Sequence, residues 1–377
     1  MPNRVSQEIP FVEKDDLSSE EIHALVQDIC QRTKKASGAL LNTSNDIISS
    51  VLRLISKKIV EHTQDIIEAN ALDLEYAVQK GLSEAMIDRL KLTPERIDVI
   101  AKSVSSVDNL ENPVGRVLWK EERPNGLIIE KTAVPFGVLG MIYESRPNVT
   151  VDAAVLCLKS RNAVVLRGGS ESIHSSLAFH KIIQSALEDN NLPKDCVSII
   201  PVRNREAVSA ILQSDKFIDV IIPRGGKSLI ERVMSEARMP VFGHLEGLCH
   251  TYIHKSAKAN IAKDVTYNAK MRRTGICGAT ETLLIDKDLT PEIAKSVLGN
   301  LLDEGCEIVG DKLSQALDSR IGNAQQIDWQ TEYLDKKLSC CVVSNVEEAV
   351  EHINSYGSHH TDSILAEDKD AVEYFLQ

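Results

Sequence analysis

Between Thr43 and about Ala69, the apolar residues Ile47, Ile48, Val51, Leu52, Ile55, Ile59, Ile66 and Ile67 recur at helical spacing, with charged residues between them. This pattern puts the apolar side chains on one face of a 3.6-residue turn and predicts one long amphipathic helix over the segment. Thr93-Pro94 marks another helix start, because a threonine hydroxyl caps free amides and proline suits the first helical position. Roughly the first ninety residues are therefore expected to be mainly helical.

Past Asn125-Gly126 the pattern changes. LIIEKTAV and FGVLGMIY are rich in branched and apolar residues, are broken by Pro135, and predict strands. VTVDAAVLCLKS then predicts a helix, AVVL a short buried strand and SIHSSLAFHKIIQSALEDN a helix. VSIIPV, REAVSAILQS and FIDVIIP continue as strand, helix and strand. Such alternation implies a parallel sheet covered by crossover helices. After Glu236 a second series begins with CHTYIH, ANIAKDVTYNAKM, ETLLID, PEIAKSVLGNLLDEG and CEIVG. The expected fold class is α/β, with two parallel-sheet domains over residues 1–235 and 236–377.

A short unit repeats inside the first series. AVVLRGGS, from Ala163 to Ser170, and DVIIPRGGKS, from Asp219 to Ser228, each run from a strand through Arg-Gly-Gly to a serine near a helix start. Glycines let a backbone approach a ligand, amides opening a helix attract anions, and arginine adds a forked donor. A tight turn alone accounts for one Gly-Gly pair, but two at the same edge of one sheet favour a nucleotide. There is no G-x-G-x-x-G fingerprint after a strand and no G-x-x-x-x-G-K-[ST] loop, which argues against ordinary dinucleotide and nucleotide-hydrolysing motifs.

Composition removes other classes. With 377 residues and a formal charge of −12, the chain is large enough for two cores and would repel nucleic acid and anionic membranes. The opening MPNRVSQEIPFVEKDDLSSEE has no apolar signal core, and the longest apolar stretch, near VPFGVLGMIY, falls well short of the roughly 20 residues a membrane helix needs. A cytoplasmic protein without membrane spans is expected. The eight cysteines are scattered without Cys-x-x-Cys spacing, so neither disulfides nor structural zinc is expected. Cys340 and Cys341 in LSCCVVS should face opposite sides of a strand. His359-His360 has no acidic or cysteine partner at metal-ligand spacing, so no metal site is expected.

One thiol stands out. In NAKMRRTGICGATETLLID, Cys277 lies between Gly275 and Gly278, with Lys270, Arg272 and Arg273 upstream. Cations stabilise a thiolate against an ordinary pKa of about 8.5, and glycine flanks leave room for an acyl carbon. Cys30, Cys157, Cys196, Cys249 and Cys306 read instead as small core residues. A nucleophilic cysteine beside a nucleotide site points to thioester or thiohemiacetal chemistry with hydride transfer.

The segments VPFGVLGMIYESRPNVTVDAAVLCLKS, VVLRGGSESIHS, VIIPRGGKSLI, GHLEGLCHTYI, NAKMRRTGICGATETLLI, DWQTEYLD and HINSYGSHHTDSILAED closely resemble the gamma-glutamyl phosphate reductases of the aldehyde dehydrogenase superfamily. The resemblance covers nearly the whole chain after about residue 20. It implies an aldehyde dehydrogenase-like fold, with a nucleotide-binding domain over 1–235 that carries an oligomerisation arm at about 113–133, and a catalytic domain over 236–377. It further implies NADPH-dependent reduction of L-glutamyl 5-phosphate to L-glutamate 5-semialdehyde and phosphate. Cys277 becomes the nucleophile and Asn148 a candidate oxyanion donor beside the Cys277 amide. Arg167, Gly168, Gly169, Arg224, Gly225, Gly226 and Glu332 fall on the cofactor side, with Arg167 replacing a lysine of related enzymes and Glu332 as the ribose ligand. Arg146 and Arg273 are candidates for the anionic groups of the substrate or for structural ion pairs. A homo-oligomer and a glutamate 5-kinase partner are also implied.

Two departures from the family pattern bear on activity. Hydrolytic relatives carry an E-L-G-G segment whose glutamate activates water, whereas this chain has Leu245-Glu246-Gly247-Leu248. That favours a reductase, because a placed base would hydrolyse the thioester, although Glu246 keeps a hydrolytic NAD(P)-dependent semialdehyde dehydrogenase as an alternative. Family members also continue past the position of Gln377, so a catalytic domain truncated at its C-terminus is expected, and with it a second alternative, an inactive remnant that binds nucleotide.

Overall fold

The computed structural model describes residues 17–144 and 146–377; the polar opening, residues 1–16, and Ser145 of ESRPNVT lie outside them. The strands are β1 (Val117–Glu122), β2 (Ile128–Thr132), β3 (Val138–Tyr143), β4 (Ala163–Arg167), β5 (Val197–Ile199), β6 (Val220–Arg224), β7 (Cys249–Ile253), β8 (Thr280–Asp286), β9 (Glu307–Gly310), β10 (Gly322–Asn323), β11 (Lys337–Val343) and β12 (Asp362–Leu365). The described residues form two compact units, divided between Gly243 and His244.

In the first unit, four parallel strands are ordered β5-β4-β3-β6. The expected helices join them: Asn148–Lys159 links β3 to β4, Ile173–Asp189 links β4 to β5, and Glu206–Leu212 links β5 to β6. From β3 the chain winds outward through β4 to β5, then crosses to the other side of β3. The sheet therefore reverses direction beside β3, which in open parallel sheets is where ligands settle, off the carboxyl ends of the strands.

The helical N-terminal region is present, but the long helix expected from Thr43 to Ala69 is two. Asn45–Glu61 ends at His62, and Thr63–Gln79 begins at once. The apolar rhythm runs through the break, but the Thr63 hydroxyl donates to the Val60 carbonyl at 2.8 Å and competes with the helical ladder. The stripe Ile48, Val51, Leu52, Ile55 and Ile59 is buried, each side chain contributing about 1.5–3 kcal/mol relative to exposure. Thr93 caps Pro94–Asp108 through the Arg96 amide, as expected.

The expected boundary at 235/236 lies short of the junction in the structure. After helix Lys227–Glu236 the chain returns to the first sheet: the Ile221 amide donates to the Pro240 carbonyl at 2.9 Å and the Phe242 amide to the Ile221 carbonyl at 2.8 Å. These bonds tie residues 240–242 to β6, so the first unit ends at Gly243. In the 113–133 segment, β1 and β2 pair as an antiparallel ribbon on which Val117, Leu118, Trp119, Ile128 and Ile129 are exposed.

The second unit is a six-stranded parallel sheet ordered β10-β9-β11-β8-β7-β12. Helix Ala259–Met271 joins β7 to β8, and Pro291–Asp303 joins β8 to β9. On β11, Cys340 is buried and Cys341 half-buried, on opposite faces. No helix among the described residues is long and apolar enough to cross a membrane.

Candidate active site

The two Arg-Gly-Gly turns leave the carboxyl ends of β4 and β6, the strands flanking β3. A cavity of about 780 Å³ opens there, lined from these turns by Arg167, Gly169, Ser170, Ser228 and Leu229. Arg205, Arg232 and Lys80 add cations, while Glu144 and Glu171 add carboxylates. Arg167 is buried, with Nη1 donating to the Gly168 carbonyl at 2.7 Å and Nη2 to the Arg203 carbonyl at 3.0 Å. Its Nε has no acceptor among the described residues. Burial pushes this guanidinium below its usual range, with neighbouring Arg205 and Arg232 adding to the effect.

The second turn is arranged differently from the first. At Gly226, which opens helix Lys227–Glu236, the amide donates to Glu144 Oε2 at 2.8 Å, so a carboxylate of the protein already occupies the anion position of that turn. A Cβ at Gly225 would come within 2.6 Å of the same carboxylate and 2.8 Å of Leu229 Cδ2, so those side-chain ends would have to shift. Arg224 is exposed and lies outside the cavity lining.

Burial sorts the thiols. All eight cysteines are free, and among them only Cys277 and Cys341 are half-buried. Desolvation pushes Cys157, Cys196 and Cys340 up to about 12, which suits the core role expected of Cys157 and Cys196. Cys341 is also pushed up to about 12, first by desolvation and then by Asp311 and Glu348. Cys30, Cys249 and Cys306 are buried as well.

Cys277 lies in the loop between helix Ala259–Met271 and β8, just before the strand begins. Gly247 presses against it so closely that a Cβ at 247 would stand 1.9 Å from the Cys277 carbonyl oxygen. Two contacts pin Gly247 and its neighbour: its amide donates to Glu332 Oε1 at 3.0 Å, and the Leu248 amide donates to Ser358 Oγ at 2.9 Å. From β7, the Cys249 thiol donates to the Cys277 carbonyl at 3.1 Å. The thiol-bearing loop is thus fixed through its backbone, leaving Sγ free of the clamp.

The cationic field expected around Cys277 needs correction. Lys270 is fully buried and pairs with Glu281 at 2.7 Å, so its charge is matched by a carboxylate inside the unit. Glu281 also accepts from the Leu334 amide at 3.3 Å, linking this pair to the loop that follows Glu332. Arg272 and Arg273 are exposed. Replacing Lys270 with alanine strands a buried carboxylate, and we expect a loss of about 3–5 kcal/mol, read as a lower urea midpoint at unchanged slope.

Asn148 opens helix Asn148–Lys159 and donates through Nδ2 to Asp152 at 2.9 Å. Arg146 is half-buried in the turn just before it, and Glu246 is half-buried beside Gly247. The expectation that His359-His360 lacks a cysteine partner holds for spacing along the sequence but not for distance in space. His360, with His244 and Cys277, forms a cluster whose ligand atoms lie within 4.8 Å of one another, assembled from loops distant in sequence. Reasoning from spacing also missed Gly247 as a contact of Cys277, and Lys80, Glu144, Arg205 and Arg232 at the cavity. Only Gly247 had a visible signal, as the counterpart of the family's E-L-G-G segment.

A model of the aldehyde dehydrogenase family matches residues 23–339. A gamma-glutamyl phosphate reductase from Paramagnetospirillum magneticum is 50% identical over 360 residues, covering 96% of this chain and 85% of that protein. One from Brucella suis is 47% identical over 359 residues, covering 95% and 85%. The crystal structure of a gamma-glutamyl phosphate reductase from Thermotoga maritima superposes with a TM-score of 0.88 at 35% identity, covering 93% of this chain and 85% of that one. The chain therefore belongs to the aldehyde dehydrogenase family and, within it, to the gamma-glutamyl phosphate reductases.

Proposed function

We propose that this protein catalyses NADPH-dependent reduction of L-glutamyl 5-phosphate to L-glutamate 5-semialdehyde with release of phosphate, a step of proline biosynthesis. The observation that carries the reading is the half-buried Cys277 thiol on a loop clamped by Gly247, in a chain half identical to a relative named for this activity. Cys277 Sγ gives up its proton to water and attacks the 5-acyl carbon; the carbon–oxygen bond to phosphate breaks, phosphate leaves with the electron pair, and a thioester remains. Negative charge on the acyl oxygen is met by the Cys277 amide and by Asn148, whose second amide proton is the one this role requires. Arg146 and Arg273 are our assignments for the substrate's anionic groups.

The first unit is suited to the cofactor, and the second is assigned the catalytic role. The Arg167 Nε without an acceptor, together with Arg205, Arg232 and Lys80 around one cavity, matches a ligand rich in phosphate oxygens. NADPH, when bound, would supply the hydride; the bond from the acyl carbon to Cys277 Sγ then breaks, the sulfur leaves with the electron pair as thiolate, and the semialdehyde is released. Gly168 and Gly169 let the backbone approach it, the Arg224-Gly225-Gly226 turn is assigned to the pyrophosphate side, and Glu332 is left with one carboxylate oxygen for a ribose hydroxyl. We expect Arg205→Ala and Arg232→Ala each to raise the KM for NADPH about 10-fold with little change in kcat, as measured by initial rates.

Run in reverse, glutamic semialdehyde and NADP should give NADPH absorbance only when phosphate is present. Phosphate-independent turnover would favour the hydrolytic alternative with Glu246 as base and overturn the reading. No turnover despite nucleotide binding would also overturn the reading. The exposed apolar ribbon β1–β2 supports assembly with further copies of the chain. A glutamate 5-kinase is the proposed partner, since the labile acyl phosphate needs a nearby source. Eight unpaired cysteines support work in the reducing cytoplasm.

A further inference from the structure

Three loops of the second unit converge at one sheet edge. His244 precedes β7, Cys277 precedes β8 and His360 precedes β12, and these three strands are adjacent and parallel in the order β8-β7-β12. All three residues thus stand at the amino ends of neighbouring strands. Cys277 Sγ and one ring nitrogen from each histidine lie within 4.8 Å of one another, and all three side chains are half-buried. The two imidazoles meet edge to face, with centroids 4.4 Å apart and an interplanar angle of 83°.

The ring of His360 is positioned by its surroundings. His359 takes the left-handed backbone conformation, φ 57°, an uncommon geometry for a residue other than glycine, in the turn leading to His360. Thr361 Oγ1 lies 2.9 Å from His360 Nδ1, an outer contact of the kind that orients metal-binding imidazoles. Cys249 Sγ is 3.6 Å from the same nitrogen, but its thiol donates to the Cys277 carbonyl.

We propose that His244, Cys277 and His360 form a three-ligand site for Zn²⁺, at which the metal binds the nucleophile and reversibly blocks it. The donor set, one thiolate and two imidazoles with a fourth position open to water, suits a borderline-soft tetrahedral ion. Ideal zinc bonds place such atoms about 3.4–3.6 Å apart, so from separations within 4.8 Å the site closes by at most about 1.4 Å through side-chain rotation. On binding, the thiol transfers its proton to water, a sulfur–zinc bond forms, both imidazoles donate neutral lone pairs, and no electron is transferred. Metal binding stands on the cluster alone; the block on turnover rests on the proposed role of Cys277.

The test uses the full chain, with zinc uptake measured by equilibrium dialysis and elemental analysis and with Co²⁺ as a spectroscopic probe. The wild type should take up one metal ion per chain and show a thiolate-to-cobalt charge-transfer band. That band should vanish in Cys277→Ser. His244→Ala and His360→Ala should each weaken zinc binding by about 10-fold or more, while Cys249→Ser should keep wild-type affinity. Circular dichroism of each metal-free variant separates a lost ligand from a lost fold. No uptake, uptake insensitive to both histidine substitutions, or a cobalt spectrum without the thiolate band would overturn the site while leaving the reductase reading intact. Stoichiometric uptake with unchanged turnover would overturn the block and count against Cys277 as the nucleophile.

Discussion

Cys277→Ala is expected to lower kcat/KM for phosphate-dependent oxidation of glutamic semialdehyde by about 10⁴-fold or more, while NADPH binding followed by nicotinamide fluorescence stays nearly unchanged. Each requirement has a structural basis. The thiol is half-buried on a loop of the second unit, and the cations and glycines assigned to the cofactor lie mainly in the first. No other cysteine is suited to replace it: six are buried, and Cys341 has its thiol pushed up to about 12 with Asp311 and Glu348 among the causes. Residual turnover well above trace would mean that the acyl group is transferred without a covalent link to this sulfur.

Gly247→Ala is the second large effect, and it acts without touching any reacting atom. A methyl group at 247 would stand 1.9 Å from the Cys277 carbonyl oxygen, 2.7 Å from its carbon and 3.0 Å from its Cα. Each of these is a backbone atom, so no side-chain rotation relieves the clash and one of the two loops must move. Both are held, Gly247 through Glu332 and Cys277 through the Cys249 thiol. A displacement of about 1 Å in a reacting group costs roughly 10²-fold in rate, and we expect kcat to fall by at least that much. The urea midpoint should also fall. Wild-type kcat in this variant would show that the clamp has no part in setting the thiol.

What was legible in the sequence followed from how locally each feature is encoded. ANIAKDVTYNAKM was read as a helix and Ala259–Met271 is one, because its apolar period and neighbouring strands agree. The break at His62 is hidden, since the period of isoleucines continues across it while the interruption lies in the His62 backbone, its ring contact with Asp65 and the Thr63 hydroxyl. Lys270 looked like part of a cation cluster because chain neighbours were all that could be seen. Its real partner, Glu281, enters from β8, and burial of both groups makes that contact dominate. The neighbours of His360 are hidden for the same reason, because strand pairing, not sequence spacing, brings His244 and Cys277 to it.

Glu144 has a consequence for the pyrophosphate position that we propose at the second Arg-Gly-Gly turn. Its carboxylate accepts from the Gly226 amide, so an incoming phosphate meets a competitor tethered to the same polypeptide, whose effective concentration no dilution can lower. Net affinity then measures the difference between two anions at one amide, and much of the site's intrinsic attraction is masked until that carboxylate swings away.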